Sequence, residues 1–169
     1  MNPVIRLDNM SGTKDGTLLR SIKFYDGSKA VAINNGTIVE LEGLVDGERE
    51  IFKAKAPSAA NLARNKIALV AAPEKDYDER KKNLDEFSNP QGTPARAYIL
   101  HDGDQFAITS DGFEIGSGVT VAKGYVVELK SGSTKPVIVA TATASTTKIG
   151  EVSDIETVGT KKFYTVLVG

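Results

Sequence analysis

The only histidine of the chain, His101, stands in the string HDGDQF, next to Asp102 and three residues before Asp104. An imidazole close to two carboxylates is the raw material of a general base or a small metal site, because both need lone pairs converging on one point. The same string is also a turn. Asp-Gly between strand-forming runs supplies a glycine tolerant of positive φ and a carboxylate that accepts nearby backbone N–H groups. The turn is the expected role of His101, Asp102 and Asp104, with an enzyme built on them as the competing reading. A calcium loop would need further oxygen ligands and a closing Glu, which DGDQF lacks.

Other sources of chemistry are thin. No phosphate-cradling glycine loop ends in Lys-Ser or Lys-Thr, and GFEIGSGV at 112–119 lacks the strand–helix setting of a dinucleotide site. No serine lies in a nucleophile elbow. The absence of cysteine removes disulfides and thiolate metal sites, and a single histidine makes zinc sets and Ser-His-Asp triads hard to assemble. With 21 basic and 22 acidic side chains the net charge is −1, which argues against a nucleic-acid partner. Tryptophan is missing, and Phe24, Tyr25 and Phe113 near turns make a poor stacking platform for sugars. No apolar run approaches the roughly 18 residues of a membrane span, and MNPVIRLDNM does not read as a signal peptide. The expectation is a protein made in the cytoplasm, not an enzyme, with no cofactor, metal or membrane partner.

The elements that would carry any site read as strands. GTIVELEGLV from Gly36, REIFKAKA from Arg49 and NKIALVAAP at 65–73 form one set of strand-like runs. ARAYIL and QFAIT, on either side of the HDGD turn, read as a hairpin. KIGEVSDIETV and KKFYTVLV close the chain as another. Tyr77, Leu84 and Phe87 in the charged stretch 74–92 share one helical face and predict a short helix or helical turn over 77–87. One phrase occurs twice: NGTIVEL from Asn35 and KGYVVEL from Lys123, each followed by a turn, a second strand and then NKIALV or TKIGEV. Gly36 matches Gly124, Glu40 matches Glu128 and Leu41 matches Leu129, with a longer linker expected in the first copy. Paired Glu40 and Glu128 would be a shared strand-edge position rather than a carboxylate dyad.

These readings predict a mainly β chain of two small antiparallel sandwich- or barrel-like modules, one short helix and an extended N-terminal arm. The expected divisions are an arm over 1–22, a first module with its charged linker over 23–94, and a second module over 95–169.

Across residues 35–113 the wording LEGLVDGERE, YDERKKNLDEF, GTPARAYIL and GDQFAIT resembles small virion proteins encoded by tailed phages and prophages of Gram-positive bacteria. The resemblance implies a capsid decoration, or cement, protein on the exterior of the virion that bridges major capsid protein subunits. A tail-tube or head–tail joining protein, or a host-surface or carbohydrate-binding module, is the alternative. The arm falls outside the resembling stretch. Its dispersed apolar residues Val4, Ile5, Leu7, Leu18 and Leu19 are expected to dock on the major capsid protein or a neighbouring copy, with Arg6 and Arg20 reaching partner carboxylates.

Overall fold

The structure, a computed structural model, describes residues 1–75, 80 and 83–169. Its framework is two sheets of six and seven strands, and the helical elements among the described residues are short 3₁₀ turns.

The six-stranded sheet contains β2 (Leu19–Asp26), β3 (Lys29–Ala30), β4 (Ile38–Leu44), β5 (Ile51–Lys55), β6 (Ile67–Val70) and β7 (Ala95–Tyr98). Its strand order is β3-β2-β5-β4-β6-β7, and β7 also pairs with β2. That second pairing closes β2, β5, β4, β6 and β7 into a five-stranded barrel. So few strands leave a narrow interior, and the side chains facing it are correspondingly small. Ala54, Ala68, Ala95 and Ala97 share the inner cluster with Ile22, Val39 and Val70. Alternate residues of the same strands, Ile38, Ile67, Leu69 and Tyr98, point outwards, as the two-residue period of a strand requires.

The seven-stranded sheet is built from β1 (Ile5–Asn9), β8 (Gln105–Thr109), β9 (Glu114–Ile115), β10 (Val126–Glu128), β11 (Val137–Val139), β12 (Lys148–Val158) and β13 (Lys161–Val168). They lie in the order β1-β8-β13-β12-β10-β11-β9. Its apolar face, including Phe106, Ile108, Val127, Val152 and Val166, belongs to one cluster with the outward-facing Ile38, Ile67, Leu69 and Tyr98 of the barrel. The core is therefore continuous across both sheets.

The repeated phrase marks a repeated circuit. In the first copy β4 lies between β5 and β6; in the second β10 lies between β11 and β12. Val39 pairs with Ala68, and its counterpart Val127 pairs with Gly150. Gly36 N–H donates to Val70 O and Val70 N–H to Thr37 O. Likewise Gly124 N–H donates to Val152 O and Val152 N–H to Tyr125 O. The next strands correspond as well: Ile22 of β2 faces Ala95 of β7, and Ile108 of β8 faces Tyr164 of β13. β2 also pairs in parallel with β5, a task that falls in the second copy to β9 against β11. One long strand of the first circuit has thus become two, separated by the 3₁₀ turn Ser110–Gly112. Tyr164 and Val166 stand where the first copy has Ala95 and Ala97, so the second circuit has more side-chain volume to accommodate. Burial pushes the Tyr164 phenol pKa up.

Three expectations are corrected by this arrangement. The N-terminal arm is not free: β1 pairs with β8 at the edge of the seven-stranded sheet, and Leu19 to Ile22 belong to β2. Alternation over Val4–Leu7 suffices to add an edge strand, and an edge strand buries what an arm would expose. The division at residue 95 is also displaced. β7 completes the first barrel, because the methyl groups of Ala95 and Ala97 fit its interior. Within the predicted helical turn over 77–87, the described residues include a 3₁₀ turn at Leu84–Glu86, and Tyr77 lies outside the described residues. Leu84 is 57% exposed while Phe87 is 8% exposed, so those two do not share a buried face. Finally, the extra length of the first copy lies in its hairpin. Lys55 comes fifteen positions after its partner Glu40 and Val137 nine positions after Glu128, whereas Ile67 and Ile149 each come twelve positions after Lys55 and Val137.

Gly36 and Gly124 open the two copies with φ of 78° and 87°, a conformation that costs other residues about 1–2 kcal/mol. A Cβ at Gly36 would also approach Ile108 Cγ2 to 3.0 Å, while one at Gly124 would meet nothing within 4 Å. Gly124→Ala should therefore destabilise the protein by about 1–2 kcal/mol and Gly36→Ala by more, read from urea denaturation midpoints. Equal losses would show that the Ile108 contact relaxes freely.

Candidate functional site

The HDGD string folds as the turn between β7 and β8. Gly103 has φ 94°, and Asp104 N–H donates to His101 O at 3.0 Å. Asp104 is 1% exposed, and both of its carboxylate oxygens accept hydrogen bonds from the chain. One oxygen accepts from Ser11 N–H at 2.7 Å and Ser11 Oγ at 2.6 Å; the other accepts from His101 N–H at 2.9 Å. On the backbone, Gly103 N–H donates to Val168 O and Val168 N–H to Asp104 O. The turn thus ties residues near both ends of the chain to the junction between the circuits. Asp102 faces outwards and pairs with Arg64. His101 Nδ1 lies 3.1 Å from the Asp102 carbonyl oxygen. The three side chains do not converge on one open point: Asp104 is buried in the turn, while His101 and Asp102 lie at the surface.

The repeated glutamates share a similar task. Glu40 Oε2 accepts from Ser58 N–H at 2.8 Å, and Glu128 Oε1 accepts from Thr143 N–H at 2.5 Å. Each carboxylate holds down the loop that follows the partner strand of its hairpin. Among the described residues, no group of three His, Asp or Glu side chains is placed to hold a metal ion, and no helix is long and apolar enough to cross a membrane.

The residues expected to meet a partner are divided by the fold. Val4 and Ile5 are buried in their own chain, Val4 against Ala107 and Phe163. Leu7 and Leu19 pack on the main core, and Leu18 borders a shallow depression with His101 and Asp102. Arg6 forks between Asp8 and Glu156 at 2.8 and 2.9 Å and lies over Phe163, 5.6 Å from the ring centre. Glu156 and Asp8 raise its pKa further above an already high value. These contacts engage Arg6 within the chain.

Arg20 has a different setting. It lies on the flank of an open cleft of about 510 Å³ at the end of the parallel β2–β5 seam. β5 begins at Ile51, opposite Ser21, whereas β2 runs on to Leu19, and the cleft opens where the seam ends. Arg20 Nη1 donates to Thr17 O at 2.6 Å and Leu19 O at 2.8 Å, while the guanidinium sits 5.5 Å from the centre of the Phe52 ring. Asp15 caps the adjoining 3₁₀ turn Gly16–Leu18, accepting from Thr17 N–H and Oγ1, which lowers its pKa. Arg49, Glu50 and Arg96 complete the polar lining. The sequence reasoning singled out Arg20 but missed Arg49, Phe52 and Arg96. The available signal was distributional: all six arginines occur within the first 96 residues.

No family model, curated protein or solved structure matches this chain.

The Asp104 network makes the turn testable. Asp104→Ala should cost about 2–4 kcal/mol in urea denaturation, because buried donors lose a charged acceptor. Asp102→Ala should cost less than about 1 kcal/mol, as expected for an exposed ion pair. A large loss at Asp102 with none at Asp104 would reverse the assignment of roles.

Proposed function

We propose that the chain is a structural virion protein that decorates the capsid of a tailed phage and stabilises it by bridging major capsid protein subunits. The observation that carries this reading is the tandem strand circuit fused through one core. Two related β platforms at a fixed separation suit a part that must span a seam between subunits. A bridge repeated at many symmetric positions gains strength by avidity, so each contact need bury only modest area. The resemblance of residues 35–113 to small virion proteins of tailed phages, which implies a decoration role, supports the same reading, and those residues include β4 to β8. The commitment of Asp104 to three internal donors favours a structural role over catalysis. Exposed apolar side chains offer contact points away from the core, with Leu44 in the β4–β5 hairpin and Val158 at the β12–β13 tip.

Adding the purified protein to undecorated expanded shells of its phage tests the proposal. Co-sedimentation should saturate at a simple ratio to the major capsid protein, and decorated shells should rupture at a higher temperature. Lack of binding would overturn the proposal. Closed rings formed by the protein alone, without shells, would favour a tail-tube part instead.

A further inference from the structure

The arginines divide into two groups. Arg6 and Arg64 form ion pairs, and Arg80 also has a partner within the chain. Arg20, Arg49 and Arg96 have no carboxylate partner among the described residues, and all three line the cleft at the end of the β2–β5 seam. They come from separate segments: β2, the turn before β5, and β7. Convergence of unpaired guanidinium groups from three segments is not dictated by the local sequence of any one of them.

We propose that this cleft is the docking site for an acidic, extended segment of a partner protein, with at least two carboxylates gripped by Arg49 and Arg96 while Phe52 and Arg20 form the floor. The charge fits. Three arginines and Glu50 leave two positive charges, the complement of two carboxylates. The spacing fits as well. Ser21 of β2 is in register with Arg96 on one side and Ile51 on the other, so the arginine-bearing segments flank β2 two strand spacings apart, roughly 10 Å. That separation matches carboxylates spread along an extended peptide better than one compact phosphate. Nor is this a nucleic-acid track, which needs a long run of cations without an opposing carboxylate such as Glu50. Arg20 is already held: both donors of Nη1 are engaged by backbone carbonyls, so ordering the side chain for a ligand costs little further entropy. Phe52 also lines the cleft and adds apolar surface beside the arginines.

The inference deepens the decoration reading by naming the surface and the partner chemistry, and its test uses no shells, so the two can fail separately. Fluorescence anisotropy of a labelled hexaglutamate peptide, at low ionic strength, should show saturable binding to the full chain. The double variant R49Q/R96Q should bind at least about tenfold more weakly with an unchanged thermal melt. A control variant, K148Q/K162Q, should bind as the parent does. Absence of saturable binding, or equal binding by R49Q/R96Q, would overturn the proposal. Displacement of the peptide by equimolar inorganic phosphate would also overturn it, in favour of a simple anion site. Self-association in sedimentation experiments, abolished by R49Q/R96Q, would make a second copy the occupant and likewise overturn it.

Discussion

The barrel's outer side chains Ile38, Ile67, Leu69 and Tyr98 have no layer of their own to cover them, and everything else in the structure depends on that constraint. They are buried because the seven-stranded sheet lies over them, within the same cluster as Phe106, Ile108, Val127 and Val166. Each large apolar side chain removed from water contributes roughly 1.5–3 kcal/mol, an upper estimate because the unfolded chain is itself partly collapsed. Separating the two circuits would expose both sides of this layer. The barrel interior, filled largely by alanine and valine, offers little apolar area in compensation. The connections reinforce the layer. β1 comes from the N-terminus to join β8, and the buried Asp104 turn holds Ser11 beside the β7–β8 junction. The β1–β8 pairing and the Asp104 turn thus help make one body of two repeats.

The strand content and the repeat were legible in the sequence because they rest on local signals. Gly36 and Gly124 precede apolar runs of period two, and Glu40 and Glu128 fall at equivalent points because each must hold its following loop. Partition of the strands was not legible. ARAYIL and QFAIT read as a hairpin within one module, yet Ala97 faces the barrel interior while Ala107 lies with Val4 and Phe163 on the far sheet. Which sheet a strand joins is set by side-chain volume against available space, and that depends on residues distant in sequence. The N-terminal residues misled for a similar reason. Val4, Ile5 and Leu7 look dispersed in a linear reading, but an edge strand needs few apolar residues when Ile108 and Phe106 wait opposite Ile5 and Leu7.

The arginine-lined cleft was invisible for a stronger reason. Its lining residues are separated by up to 80 positions, and nothing in the strings that hold Arg49 and Arg96 indicates that the two meet. Only the parallel β2–β5 pairing and the β2–β7 closure bring them to one place. By contrast, the string that looked most chemical, HDGDQF, proved to be a structural turn. Its glycine adopts the left-handed region, and its buried aspartate satisfies donors from two segments. A buried carboxylate with both oxygens engaged by its own chain is committed to holding the turn.

Fusion of the two circuits through one core is best tested by native-state hydrogen exchange at two equivalent amides. Val70 N–H donates to Thr37 O at 2.9 Å in the first circuit, and Val152 N–H donates to Tyr125 O at 2.8 Å in the second. If the shared layer makes them one cooperative unit, both amides exchange only through global unfolding, with the same opening free energy and the same denaturant dependence. Exchange of Val70 at a distinctly lower free energy than Val152, or the reverse, with a smaller denaturant slope, would show that the circuits open independently and would contradict the account.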